Sequence, residues 1–474
     1  MPLILGTNSI KDTSYDVANS ARFDDGSSDN IQRTYGTPTN SKIFGLSWWV
    51  KLGKAFDGSG SQDLWGERTD SNNRVFMGIN STGQFDFFEK NSGSNVVELK
   101  TNRLFRDNSA WYHFLLLGDS TQGTASNRIK LYVNGVQETS FATETYPSSD
   151  YAFRLALNTV KYFGRVGLGG SLSTNYYDGY LAEAVFVDGT VTAHTDYGEF
   201  DSDSPTIWKP KNVSGLTFGN NGFYLDFEDS SALGNDVSGN DNDFTVNNLT
   251  AVDQSTDTCT NNFATLNPLL DVNNPQILSN GNLTATGSGS GNHRFAGSTM
   301  PVASGKWYYE VKVTVSGSNP YVGLIDSQSN LRRNGIYFVN SDGDSNNPSG
   351  FAVNMSGDIY HNNSSSYASN IGSISTNDIL GFAIDMDSSP KTCEIYKNGS
   401  SQRSFNLDEP PSGFYMLGSN SSYNTSSSVA DMNFGSPAFS ISSGNADGNG
   451  YGNFEYSVPS GYYSINSKNL AEFG

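Results

Sequence analysis

Cysteine is almost missing from this chain: 474 residues hold only Cys259 and Cys393, with no Cys-x-x-Cys spacing. That excludes a disulfide scaffold and a thiolate zinc site, both of which need spaced sets of cysteines. Cys393 falls inside a predicted strand and reads as a small core residue. Histidine is scarce as well. His113, His194, His293 and His361 stand beside no nucleophile motif, and no Gly-x-Ser-x-Gly falls between a strand and a helix, so a hydrolytic triad is not indicated. Basic residues number 28 against 48 acidic ones, a formal net charge of −20. Such a surface repels phosphates and anionic lipid, which argues against a nucleic-acid partner; it also keeps the chain soluble. No apolar run approaches the ~20 residues of a membrane span, and Met1-Pro-Leu-Ile-Leu5 lacks the basic region and apolar length of a signal peptide. The expectation is synthesis in a cytoplasm without membrane insertion.

Aromatic residues, by contrast, are abundant: 13% of the chain, with 25 Tyr and 29 Phe, which is not the composition of a disordered polymer. The 50 Gly against 15 Pro suit turns with positive φ. Two stretches sharpen this picture. Leu131-Tyr-Val-Asn-Gly135 and Ile395-Tyr-Lys-Asn-Gly399 each run an alternating strand into Asn-Gly, the dipeptide suited to a two-residue hairpin turn. They predict two β-domains of related architecture.

Leu46, Trp48, Val50 and Leu52 alternate with Ser47, Trp49 and Lys51, and the continuous apolar run 111–117 suits a strand covered on both faces. Phe223, Leu225 and Phe227 form one more strand. In the second half, Tyr309, Val311, Val313 and Val315 alternate, as do Leu380, Phe382, Ile384 and Met386, with Ala430, Met432 and Phe434 closing. The predicted fold class is all-β, two jelly-roll (concanavalin A-like) β-sandwich domains in tandem. The boundaries read as an N-terminal arm 1–20, a sandwich 21–234, an Asn/Asp/Thr-rich linker 235–275, a sandwich 276–437, and a Gly-rich segment with a C-terminal tail 438–474.

The first half resembles laminin G-like domains of the concanavalin A-like lectin/glucanase fold, through Ala21-Arg-Phe-Asp24, Ser47-Trp-Trp-Val50, Trp111-Tyr-His-Phe114, Leu131-Tyr-Val-Asn-Gly135 and Asp178-Gly-Tyr-Leu-Ala-Glu183. The second resembles a SPRY domain, through Gly305-Lys-Trp-Tyr-Tyr-Glu310, Val322-Gly-Leu324, Asp378-Ile-Leu-Gly-Phe382, Glu394-Ile-Tyr-Lys-Asn-Gly399 and Met432-Asn-Phe-Gly435. Nearly the full length is similar to virion structural proteins of tailed phages that infect marine bacteria. Phe200-Asp-Ser-Asp-Ser-Pro-Thr-Ile-Trp-Lys-Pro210, Gly222-Phe-Tyr-Leu-Asp-Phe227, Thr260-Asn-Asn-Phe-Ala-Thr-Leu-Asn-Pro268 and Lys468-Asn-Leu-Ala-Glu-Phe-Gly474 carry that likeness, while Cys259 stands where the family has proline.

The resemblance to glucanases makes catalysis worth testing. Retaining and inverting glycosidases both need a carboxylate pair. The nearest approach to Glu-x-Asp-x-x-Glu is Asp226 and Glu228, with Tyr224 where the first carboxylate should stand; Asp385 and Asp387 lack a preceding Glu. No catalytic residue is assigned. For metal, Asp342, Asp344 and Asn346 alternate like the start of a calcium loop, but Asn347 and Val353 replace its Gly and Glu. The laminin G-like resemblance adds Asp24, Asp25 and Asp188 as a second calcium candidate set. For ligand binding, the jelly-roll rim of the second domain offers Arg332, Arg333, Asn334, Tyr360, His361 and Tyr367, types that anchor recognition.

These readings lead to three expectations. The first is a phage virion structural protein, a tail fibre or spike that binds a host surface glycan or protein through jelly-roll loops. The second is a capsid or tail decoration whose partners are other virion proteins, with the aromatic tail serving for docking. The third is a polysaccharide-degrading enzyme. No cofactor is expected; calcium is a candidate metal only. A homo-oligomer, guessed as a trimer, would multiply a weak site.

Overall fold

The computed structural model describes residues 15–54, 60–166, 175–270, 276–286, 294–315, 320–327, 350–361, 364–410, 412–422 and 429–474. The described chain divides between Thr260 and Asn261 into two compact units.

In the first unit the alternating strand Ile43–Leu52 occupies the centre of an eight-stranded antiparallel sheet, between Trp111–Asp119 and Gly179–Asp188. Ile129–Val133 and Val136–Gln137 continue this sheet to one edge; Ser20–Phe23 and Gln254–Ser255 continue it to the other. Register places Trp48 opposite Phe114 and Val50 opposite Leu181. Leu46, Trp48, Val50 and Leu52 therefore point one way, into a core shared with Val75, Met77, Ile79, Phe85, Phe87, Val97 and Leu99 of a second eight-stranded sheet. Trp49 points the other way, with Trp111, Tyr180 and Trp208, into a smaller cluster under the segments that cover the outer face. Period-2 alternation with both faces apolar is what this double burial requires.

Residues 235–260, which compose like a linker, belong to this unit. Thr245–Asn247 pairs with Asn30–Thr34, Gln254–Ser255 pairs with Ser20–Phe23, and Phe244 and Leu249 reach the core. The abundance of Asn and Asp has a local cause. Asp236 accepts hydrogen bonds from the backbone N–H groups of Tyr224, Ser238 and Asn242, so a carboxylate does the work of a sheet partner.

The second unit repeats the plan. Lys306–Val315 lies between Val429–Asn433 and Ile379–Asp385 in a seven-stranded sheet that ends in the hairpin Thr392–Lys397 and Ser400–Asn406. Tyr309, Val311, Leu380, Phe382, Ile384 and Met432 share one core with Val322, Leu324, Phe351 and Leu417 from the opposing sheet. The tail is part of this unit: Ile465 and Leu470 enter the core, and Phe454 packs on Tyr308 across the outer face.

Both Asn-Gly turns adopt positive φ at both positions, 47° and 74° at Asn134 and Gly135, 48° and 77° at Asn398 and Gly399. Each glycine also lies close beneath an aromatic ring from a later segment. A Cβ at Gly135 would stand 2.1 Å from Trp208, and one at Gly399 2.5 Å from Tyr456.

Candidate binding cleft

Alternation along Ile129–Val133 sends Ile129, Leu131 and Val133 into the core and leaves Lys130 and Tyr132 on the outer face, near the sheet edge. The Tyr132 ring stacks on His194, 4.9 Å between centroids and 7° from parallel. His194 stacks in turn on Trp208 at 6.1 Å, and Trp208 on His113 at 6.0 Å, whose ring lies 4.8 Å from Trp49. An aromatic column thus runs from the rim into the protein. Hydrogen bonds fix its inner end. Trp208 Nε1–H donates to His113 Nδ1 at 3.0 Å, and the indole N–H can only donate. Nδ1 is therefore unprotonated, and Nε2–H donates to Ser47 Oγ at 2.8 Å. Burial pushes His113 down to about 3, so it is neutral at physiological pH, a satisfied core residue.

At its outer end the column walls a cleft of about 300 Å³, floored by Leu117 and Phe44 and rimmed by Val191, Asp119, Gln122, Asn127 and Lys130. Burial pushes the Asp119 carboxyl up, but hydrogen bonds from Thr121 and Gln122 outweigh it and hold it below the usual range. A second cleft of about 210 Å³, lined by Gln137, Glu138, Phe141 and Tyr146, shares Asn127 and Lys130 with the first. Flat aromatic surface beside a few amide and charged groups is the make-up of a small-ligand site.

Of the rim residues expected from sequence, Arg332, Arg333 and Asn334 lie outside the described residues, as do Asp342, Asp344 and Asn346. His361 and Tyr367 come together, 4.7 Å between ring centroids. His361 is buried against Phe351, with Nε2 2.8 Å from Asp408 Oδ2 and Nδ1 3.1 Å from the Gly350 carbonyl; Tyr367 donates to the Asn406 carbonyl. Tyr360 points to the opposite face, edge-on to Tyr321 at 5.2 Å, as strand alternation demands.

Asp24 and Asp25 do gather, but with Asp178, their carboxylate oxygens within 4.8 Å of one another. These are hard oxygen donors of the kind calcium takes. Lys54 pairs with Asp25 and supplies positive charge to the group. Asp188 is elsewhere, accepting from the backbone N–H groups of Thr39 and Asn221. Asp226 is half-buried and accepts from the Glu228 backbone N–H, while Glu228 is exposed. In the other unit, Asp385 is paired with Lys306 at 2.8 Å. The carboxylate that sequence reasoning passed over is Glu183. It sits at φ 50°, where the pairing of Gly179–Asp188 slips between Ala182 and Val185. Tyr224 and Tyr15 donate to its Oε2 at 2.8 and 3.0 Å, and burial pushes it up to about 8. The one sequence signal was its place in Asp178-Gly-Tyr-Leu-Ala-Glu183.

Residues 25–195 match the concanavalin A-like lectin/glucanases superfamily. This concanavalin A-like match ends beside the cleft wall, at His194. No curated protein matches the chain. Among solved structures, a candidate carbohydrate binding protein from Bacteroides ovatus is similar at 13% identity and TM-score 0.31, over 49% of this chain and 59% of that one. The SPRY domain of human HERC1 is similar at 17% identity and TM-score 0.26, over 35% and 96%. A heptameric SAP-like pentraxin from Limulus polyphemus is similar at 14% identity and TM-score 0.27, over 38% and 82%.

Proposed function

We propose that the protein is a non-catalytic glycan-binding component of a phage particle, a tail fibre or spike, and that the concanavalin A-like unit holds the sugar beside Tyr132. The observation that carries the glycan reading is the Tyr132–His194 stack walling a cleft that also presents Gln122, Asn127 and Lys130. A sugar offers C–H groups on its ring face and hydroxyls around its edge, and this arrangement meets both. The particle setting is supported by the resemblance of stretches such as residues 200–210 and 468–474 to virion proteins, with a host surface glycan or protein as receptor and other virion proteins as neighbours. A homotrimer would raise the avidity of so shallow a site. The non-catalytic reading is supported by Asp226 and Asp385 each being engaged by their own neighbours and by Glu183 accepting from Tyr15 and Tyr224.

Glycan-array binding by purified protein, together with competition against phage adsorption, tests this reading. Tyr132→Ala should abolish array binding while leaving the circular dichroism spectrum unchanged. Wild-type protein that binds neither glycans nor host cells would sink the proposal.

A further inference from the structure

We infer that the cleft selects acidic saccharides, with the Lys130 ammonium as the group that reads the acid. This rests on the glycan reading above. Lys130 is a cation without a carboxylate partner among the described residues of an acidic protein. Lys42 pairs with Asp150 at 2.8 Å, Lys51 with Asp257 at 2.6 Å, and Lys209 with Asp201 at 3.3 Å. The Lys130 ammonium has no ion pair or hydrogen bond among the described residues, although two carboxylates line the clefts it borders.

Both of those carboxylates are engaged by their own loops. Asp119 Oδ1 accepts from the Thr121 backbone N–H and hydroxyl, and its Oδ2 accepts from Gln122. Glu138 Oε1 accepts from the backbone N–H groups of Thr139 and Ser140. Neither turns to Lys130, so the ammonium's donors remain for a ligand.

Position adds to this. Lys130 lines the first cleft together with Tyr132, His194, Gln122 and Asn127. Lys130 is two residues from Tyr132 on the same face of the strand, which places charge and aromatic wall side by side. A sugar ring against Tyr132 therefore directs a substituent carboxylate or sulfate toward Lys130. A charge-assisted hydrogen bond of this kind favours the acidic sugar by about tenfold or more over its neutral counterpart.

The experiment uses the full chain and matched pairs of oligosaccharides. One set contains oligouronates and the same oligomers after carboxyl reduction; the other contains sulfated galactans and their desulfated forms. Titration calorimetry with wild type should show the acidic member of a pair binding at least tenfold tighter, and the set in which this occurs identifies carboxylate or sulfate. Lys130→Met should erase the difference, Lys130→Arg should keep it, and Tyr132→Ala should weaken acidic and neutral members alike. Equal binding of both members by wild type, or a preference that survives Lys130→Met, overturns the role of Lys130 and leaves the glycan reading standing. Failure of every pair, together with an empty glycan array, overturns both.

Discussion

The carboxylate of Glu310 receives the backbone N–H of Tyr456 at 2.9 Å, which ties the C-terminal tail to the outer face of the second sheet. The same carboxylate accepts from the Glu455 N–H at 2.9 Å, from Tyr308 and from Asn433. A polar residue on a strand face that would otherwise meet water has become the clasp for a later segment. Glu310→Ala leaves two tail N–H groups without their acceptor, at a cost of about 3 kcal/mol. Urea denaturation gives the loss in stability, and hydrogen exchange should speed up at residues 455 and 456 before the strands. Unchanged exchange there would contradict the clasp.

Glu183 predicts a pH dependence. Its folded value, raised by burial to about 8 from the ordinary 4.5, means that the native state holds a proton which the unfolded chain gives up. Its stabilising contribution is full below about 4.5 and is lost as pH rises through 8. Glu183→Gln keeps a neutral acceptor for Tyr15 and Tyr224 and removes the titration. The variant should gain stability over wild type progressively from pH 5 to 8.5, as measured by thermal unfolding at each pH. A parallel offset across that range would show that Glu183 does not titrate in this way.

Gly399 combines a left-handed backbone with the ring of Tyr456 directly above it. Gly399→Ala should cost the left-handed strain of about 1–2 kcal/mol plus the displacement of that ring. In a Tyr456→Ala background only the strain remains, so the double-mutant cycle should return a coupling of about 1 kcal/mol. Additive effects would mean that the ring yields freely.

The acidic group of Asp24, Asp25 and Asp178 is supplied with positive charge by Lys54. Thermal stability should therefore be the same in EDTA and in millimolar calcium. A site with a micromolar dissociation constant would instead add about 4 kcal/mol at a thousandfold excess and lift the melting temperature by several degrees.

What could be read from the sequence was the local part. Strand alternation such as Leu46/Trp48/Val50 and the Asn134-Gly135 and Asn398-Gly399 turns are set by neighbours in the chain, and they appear where they were expected. Residues 235–260 misled because Asp236 stitching a turn together and an Asp in a solvated linker look identical in composition. The cleft was illegible for another reason. Tyr132 and His194 are on different elements and meet only once the sheet edge and the turn His194–Asp196 are folded together. Residue type alone points to His361 and Tyr367; the pair does form, but His361 is buried against Phe351.

The core position of Leu470 and Ile465 also bears on synthesis. The first unit has all its strands once Ser255 has left the ribosome. In the second, Lys306–Val315 must wait for Val429–Asn433 to pair along one side, and the core still lacks Leu470 after that. At translation speeds of about 5–20 residues per second, an incomplete sheet with an open edge persists for on the order of ten seconds or more. That interval, rather than the finished fold, is when this chain is most exposed to pairing with a neighbouring copy still being made.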